Sequence, residues 1–166
     1  MGSKRHYTLN PYFKYISKED RIHAELVEFI NTEYPSVIYT HIPSEGKKSR
    51  FECYKYSIMG TKKGICDFIF LKPKYKYKII NEKKQKILVY CGLAIELKVP
   101  LHNRVVLKGK QAGKIVKSVG KLSQEQKEVI EQLNKEKYLA VCCFGFEEAK
   151  KVIIEYYYKR TRKRIP

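Results

Sequence analysis

Tryptophan is absent from this sequence, methionine occurs only twice, and 17 acidic residues face 35 basic ones. The shortage of acids leaves a formal net charge of +18. A chain so charged repels itself unless a polyanion neutralises it. No apolar run approaches the ~20 residues that a membrane span needs, so no membrane partner is expected. The first six residues lack the apolar core of a signal peptide, and His6 stands where the myristoylation pattern requires Ser or Thr. The five cysteines are odd in number and form no C-x-x-C pair. Cys142 and Cys143 are adjacent, a poor geometry for a mutual disulfide. All five read as reduced, in an intracellular setting, cytoplasm or nucleus. No phosphate-binding G-x-x-x-x-G-K-[ST] loop and no dinucleotide fingerprint occur. The four histidines have no zinc-type spacing. A small-molecule substrate is therefore not expected. Cys66 and Cys91 read as core residues rather than nucleophiles.

What is present is a foldable chain. Its 166 residues suit one domain, and an apolar fraction of 43% with 14 Tyr and 7 Phe excludes disorder. Ser17 can cap a helix whose first turn holds Glu19 and Asp20, with Ile22, Leu26, Phe29 and Ile30 at helical spacing and Pro35 limiting it. Residues 37–40 read as a short strand, and residues 41–48 as a polar turn. Residues 51–59 allow a helix. Residues 65–71 read as a buried strand ended by Pro73. The lysine-rich stretch after it reads as a hairpin turning near Asn81-Glu82. Residues 87–90 and 93–99 read as the next strand, interrupted by Gly92. Gly109, Gly113 and Gly120 mark residues 101–121 as a mobile loop. A helix over 123–137, a strand over 138–146 and a helix over 147–158 follow. The order, roughly α-β-β-β-α-β-α, indicates an α/β or α+β domain with helices over a central sheet.

Charges inside apolar strands are costly unless paired or bound to metal. Asp67 lies between Cys66 and Phe68. Glu96 and Lys98 interrupt the run 93–99, and strand alternation puts them on one face, with Ile95, Leu97 and Val99 on the other. If these strands are neighbours, Asp67 meets Glu96, and a divalent cation is the usual remedy for two close carboxylates. Lysine alongside suits metal-assisted phosphodiester hydrolysis. E-x-K occurs five times in this chain, but only Glu96–Lys98 lies in an apolar strand. The alternative is a Glu–Lys ion pair on a solvated sheet face. On the first helix, with Glu19 at 0°, Ile22, Leu26 and Ile30 fall at about 300°, 340° and 20°. Glu19 thus sits mid-face, while Glu25 is marginal and Glu28 faces solvent. His23 reads as a packing or hydrogen-bonding residue.

The excess cations cluster. Lys72, Lys74, Lys76, Lys78, Lys83, Lys84 and Lys86 form one group; Lys159, Arg160, Arg162, Lys163 and Arg164 form a tail. Plain compositional bias also produces lysine-rich chains without tryptophan. Nucleic acid is the favoured partner, because Lys and Arg contacts to phosphate release counterions. Lys47, Lys48, Lys72, Lys74, Lys76, Lys83, Lys84, Arg160 and Arg162 are the expected contacts, with Tyr75 and Tyr77 able to stack on bases or pack at a strand edge.

Several segments, in order, resemble the VRR-NUC family of the PD-(D/E)XK nuclease superfamily. Glu19-Asp20-Arg21-Ile22-His23 resembles its first-helix motif. His41-Ile42-Pro43-Ser44-Glu45-Gly46-Lys47-Lys48-Ser49 is similar to its H-x-P-N-E-G-x-R-S loop, with Ser44 for Asn. Gly64-Ile65-Cys66-Asp67 looks like the G-x-x-D motif, with Cys66 where Pro is common. Gly92-Leu93-Ala94-Ile95-Glu96-Leu97-Lys98 matches G-L-x-I-E-x-K, and Leu122-Ser123-Gln124-Glu125-Gln126 resembles L-S-x-x-Q. The resemblance spans about residues 18–155 and implies a restriction-endonuclease-like core with a mixed sheet. It implies Mg²⁺ or Mn²⁺; Glu19, Asp67, Glu96, Lys98 and Gln126 at the active site; and metal held by Asp67, Glu96, Glu19 and the Leu97 carbonyl. Residues 72–86 are a basic insertion relative to that pattern and 159–166 a basic tail, on a single domain over 1–166. The implied activity is a structure-specific DNA endonuclease, a homodimeric Holliday junction resolvase or branched-DNA nuclease of the stand-alone viral or phage type, serving recombination or repair. The alternatives are a non-catalytic nucleic-acid-binding protein on the same fold and a nuclease acting on single strands or RNA.

Overall fold

The computed structural model describes residues 11–42 and 49–158. Lys47, Lys48, Arg160 and Arg162, and most of the 41–48 turn, lie outside these residues. A short 3-10 helix, Pro11–Tyr15, leads into helix α1, Lys18–Glu33. As the sequence suggests, Ser17 caps α1: its side chain accepts from the Asp20 amide and the Asp20 carboxylate accepts from the Ser17 amide. Such a cap contributes about 1 kcal/mol. Leu26 and Ile30 on its apolar face are wholly buried.

Strand β1, Tyr39–His41, precedes helix α2, Arg50–Ile58, which settles the ambiguous segment as helical. Strand β2 spans only Phe68–Phe70. Asp67 therefore stands just before the strand rather than inside it, a correction to the sequence reading. Strands β3, Lys74–Ile80, and β4, Lys83–Tyr90, form the expected hairpin. Its turn residues Asn81 and Glu82 have φ of 49° and 60°, as a two-residue hairpin of primed type requires. Strand β5 is Leu93–Lys98. Residues 87–90 and 93–99 were expected to be one strand; they belong to two different sheets. Cys91-Gly92 separates them.

A second correction concerns residues 101–121. Strands β6, His102–Val105, and β7, Ile115–Ser118, pair antiparallel there, so the segment is a hairpin and not a loop. Helix α3, Gln124–Lys135, strand β8, Leu139–Phe144, and helix α4, Phe146–Tyr157, complete the chain. With α2 and the two hairpins, the order is richer than the expected α-β-β-β-α-β-α, but the class, a mixed sheet flanked by helices, is as expected.

The main sheet runs β1-β2-β5-β8. The first two pairings are antiparallel, and β5 pairs β8 in parallel. Parallel neighbours need a long crossover, here the β6–β7 hairpin and α3. One sheet face, with Phe68, Phe70, Leu93, Ile95 and Leu97, packs against Leu26 and Ile30 of α1 and Ala149, Ile153 and Tyr156 of α4. The other, with Ala94 and Ala140 beside Cys66, packs against Ile130 and Leu133 of α3. Each fully buried large side chain contributes about 1.5–3 kcal/mol. No helix among the described residues is long and apolar enough to cross a membrane.

Candidate active site

Alternation along β5 sends Leu93, Ile95 and Leu97 into the larger core and Ala94, Glu96 and Lys98 toward the α3 side. Glu96 is 0% exposed. One of its oxygens, Oε1, accepts from Lys98 Nζ at 2.7 Å and from Gln126 Nε2. The other, Oε2, is buried and has no hydrogen-bond partner. Asp67 arrives just ahead of the adjacent strand β2, whose Phe68 faces Ile95 in the antiparallel register. Its Oδ2 accepts from the Leu97 amide at 2.8 Å, and its carbonyl accepts from the Ile42 amide. The Leu97 side chain itself is buried in the larger core.

Gln126 enters from the first turn of α3. Its Oε1 accepts from the Ser123 amide at 2.9 Å, closing a capping box, while Nε2 is free to donate to Glu96. One side chain thus both ends a helix and orients the buried acid. Gly64 fixes where that turn lies. Its φ is +78°, and a Cβ there would sit 2.6 Å from the Glu125 main chain, so only glycine permits this approach.

Helix α1 supplies the remaining wall. His23, buried, accepts or donates through Nδ1 to His41 Nε2 at 3.1 Å, and its Nε2 lies 3.8 Å from Asp67 Oδ2. The sequence reading of His23 as a hydrogen-bonding residue agrees with this. His41 was not singled out as a partner; it is 18 residues away on β1, and only the fold joins them. Glu19, half-buried, lies one turn before His23, and its charge acts on Lys98. Among the described residues, no three His, Cys, Asp or Glu side chains converge closely enough to hold an ion between them. Asp67 and Glu96 are therefore the acids brought together, with Glu19 near Lys98 rather than joined to that pair.

The electrostatics follow from this burial. Desolvation pushes the Glu96 carboxyl up from its ordinary range; the hydrogen bond from Lys98 opposes this, and the Asp67 charge adds to it. Desolvation alone would lower Lys98, but its bond to Glu96 and the charges of Glu96, Asp67 and Glu19 outweigh it and leave the ammonium above its ordinary pKa. Lys98 is a held cation, a donor and not a base. Burial also pushes the Cys66 and Cys143 thiols up to about 12 and Cys142 to about 11. None of the three is a poised thiolate nucleophile.

Of the expected nucleic-acid contacts, Lys72 belongs to the segment leading into the β3–β4 ribbon, and Lys74, Lys76, Lys83 and Lys84 to the ribbon itself. It leaves the sheet beyond Phe70 and returns at Leu93, the far end of the β2–β5 ladder from Asp67 and Glu96. Its root is tied to α4. The Tyr156 hydroxyl donates to the Lys72 carbonyl at 2.8 Å, and Lys74 Nζ donates to the Glu155 carbonyl at 2.7 Å. Lys76, Lys83 and Lys84 are exposed, Lys84 lying over the Tyr77 ring.

No known family model matches this sequence, and no curated protein matches it. Among solved structures, one described as a VRR-NUC domain protein is similar over 86% of this chain and 89% of its own, with a TM-score of 0.57 and 23% identity. That likeness, spanning nearly the whole of both chains, agrees with the motif order seen in the sequence: this chain has the fold of a VRR-NUC domain protein.

Proposed function

We propose that this protein is a metal-dependent nuclease, acting on DNA as an endonuclease. One observation carries the reading: Glu96 is wholly buried with Oε2 unpartnered beside Asp67, while Lys98 and Gln126 occupy Oε1. Lys98 balances the charge of Glu96, but a buried oxygen left without a hydrogen bond still costs about 1–3 kcal/mol. A hard divalent cation answers both that oxygen and the neighbouring acid. Mg²⁺ in particular is held by one or two carboxylates and keeps several waters, so two acids suffice. Asp67 and Glu96, with the Leu97 carbonyl, would hold Mg²⁺ or Mn²⁺, and Glu19 would act at its margin through water. Such an ion polarises the scissile phosphate and acidifies a water when bound. Lys98 would place a fixed positive charge where negative charge grows on the phosphate, Gln126 holds Glu96 in register, and the Leu97 amide holds Asp67.

Within this reading, with a core over about residues 18–155, the substrate we favour is branched DNA such as a Holliday junction, because the order of the motifs resembles that of the VRR-NUC family. Two symmetric incisions suit a two-fold homodimer. Labelled junction, flap, duplex and single-stranded substrates, each with Mg²⁺, Mn²⁺ or EDTA, test the proposal. Asp67→Ala and Glu96→Ala should each abolish cleavage while DNA binding persists, with Glu96→Gln as the isosteric variant and circular dichroism to confirm folding. Wild-type rates in either variant, or full activity in excess EDTA, would overturn it. A strictly monomeric active species by light scattering would turn the reading from resolvase toward nickase.

A further inference from the structure

Between Lys98 on β5 and Gln126 on α3 the chain makes one excursion, the β6–β7 hairpin. Residues 101–121 carry six cations, Arg104, Lys108, Lys110, Lys114, Lys117 and Lys121, and no acid. The hairpin is built rather than loose. Beyond the paired strands, the Val106 amide donates to the Lys114 carbonyl at 2.9 Å and the Gly113 amide to the Val106 carbonyl at 2.8 Å. His102 Nδ1 meets the Pro100 carbonyl at 2.9 Å, and the Gly120 amide donates to the Val99 carbonyl. At that root a Cβ on Gly120 would lie 2.9 Å from Lys98 Cβ, so the returning strand bears directly on the lysine of the site.

The other end stands clear. A Cβ added at Gly109 or Gly113 would meet no atom within 4 Å. The four residues of each strand, at about 3.3 Å each, carry the paired part about 13 Å from the root, and the tip, 106–114, lies beyond it. Cross-strand pairing puts Asn103, Val105, Ile115 and Lys117 on one face and His102, Arg104, Val116 and Ser118 on the other. The first face is the open one: Val105 and Ile115 are exposed, and Leu107 beyond them is 85% exposed. A second copy of so basic an arm would be repelled, whereas a polyanion is drawn to it.

We infer that the β6–β7 hairpin is a DNA-gripping arm that lies along the duplex beside the cleaved phosphate. A two-stranded ribbon fits the major groove. Arg104, Lys108, Lys110 and Lys114 meet phosphates, and Leu107 packs its apolar side chain in the groove. This rests on the nuclease reading for its position beside a cleaved bond, but not for the binding itself.

The test is salt-dependent binding of a labelled duplex and a four-way junction, in EDTA, by the full chain. One variant replaces Arg104, Lys108, Lys110 and Lys114 with Gln. A control replaces Lys76, Lys78, Lys83 and Lys84 with Gln, the same loss of four charges on the other hairpin. The arm variant should lose up to about 0.9 of log–log salt slope per phosphate contact, so about 3–4 in all, and clearly more than the control. Leu107→Ser should weaken duplex binding without changing the slope. An arm variant that keeps the wild-type slope, or loses no more than the control, overturns the inference while leaving the nuclease reading standing if Mg²⁺-dependent cleavage persists. A wild-type chain that binds through the arm yet cuts nothing with Mg²⁺ or Mn²⁺ overturns the nuclease reading instead.

Discussion

Lys98 is held by charges on three sides, and that determines what its loss should do. With its ammonium 2.7 Å from Glu96 and kept protonated by Glu96, Asp67 and Glu19, in the proposed nuclease it would stabilise charge that grows mainly in the transition state. Lys98→Ala should lower turnover roughly 10²–10³-fold while the dissociation constant for DNA, measured in EDTA, changes little. A proportional loss of affinity at unchanged turnover would make it an ordinary phosphate contact. Glu19→Ala should slow cleavage as well, whereas exposed Glu25→Ala should leave it near wild type. A separate expectation concerns the thiols. With Cys66 and Cys143 buried and pushed up to about 12, iodoacetamide should label exposed Cys53 in the folded protein and spare those two, as read by mass spectrometry; equal labelling would show the sheet faces to be open. Much of this site was legible. A carboxylate in an apolar strand is conspicuous at Glu96; the helical wheel put Glu19 toward the sheet, and it stands half-buried, its charge acting on Lys98 but apart from the Asp67–Glu96 pair. Gln126 was found through family likeness alone, because a Gln three residues after a Ser looks like any capping residue, and it is one. The His23–His41 contact left no local signal at all.

Among the elements, α1, α3 and α4 were readable in the sequence, while α2 stayed ambiguous although Ser49, like Ser17 and Ser123, closes a capping box. Strands were harder. β2 is three residues long, too short for alternation to show, and the run around it read as a longer strand. The β6–β7 hairpin was hidden by its glycines, which shape the tip and the root but leave the paired segments between them intact. Gly64 marks the opposite case, a glycine with a long-range duty. Gly64→Ala combines a positive φ of +78° with a 2.6 Å approach to the first turn of α3. It should destabilise the protein by about 2 kcal/mol or more, measured by urea unfolding. By moving Gln126 off Glu96 it should also depress cleavage in the fraction that stays folded. A variant as stable and active as wild type would mean that the start of α3 shifts freely.

At the scale of the whole molecule, order is unevenly distributed. β5 is paired on both edges, by β2 and β8, and covered on both faces. The β3–β4 and β6–β7 ribbons pair only with themselves. Backbone amides of Leu93 to Leu97 should therefore exchange with deuterium only when the entire fold opens, and those of both ribbons should exchange roughly a hundredfold faster or more through local opening. Exchange that is equally slow in ribbons and sheet would show one cooperative unit. The ribbons join the sheet through short connections, so either can fray and re-form while the strand bearing Glu96 and Lys98 stays protected. It follows that mutations in the ribbons are tolerated by the fold: their length, charge and tip residues can drift through many variants before the acids feel the change, so lineages sharing this core can diversify what the ribbons hold while the strand that carries Glu96 and Lys98 stays the same.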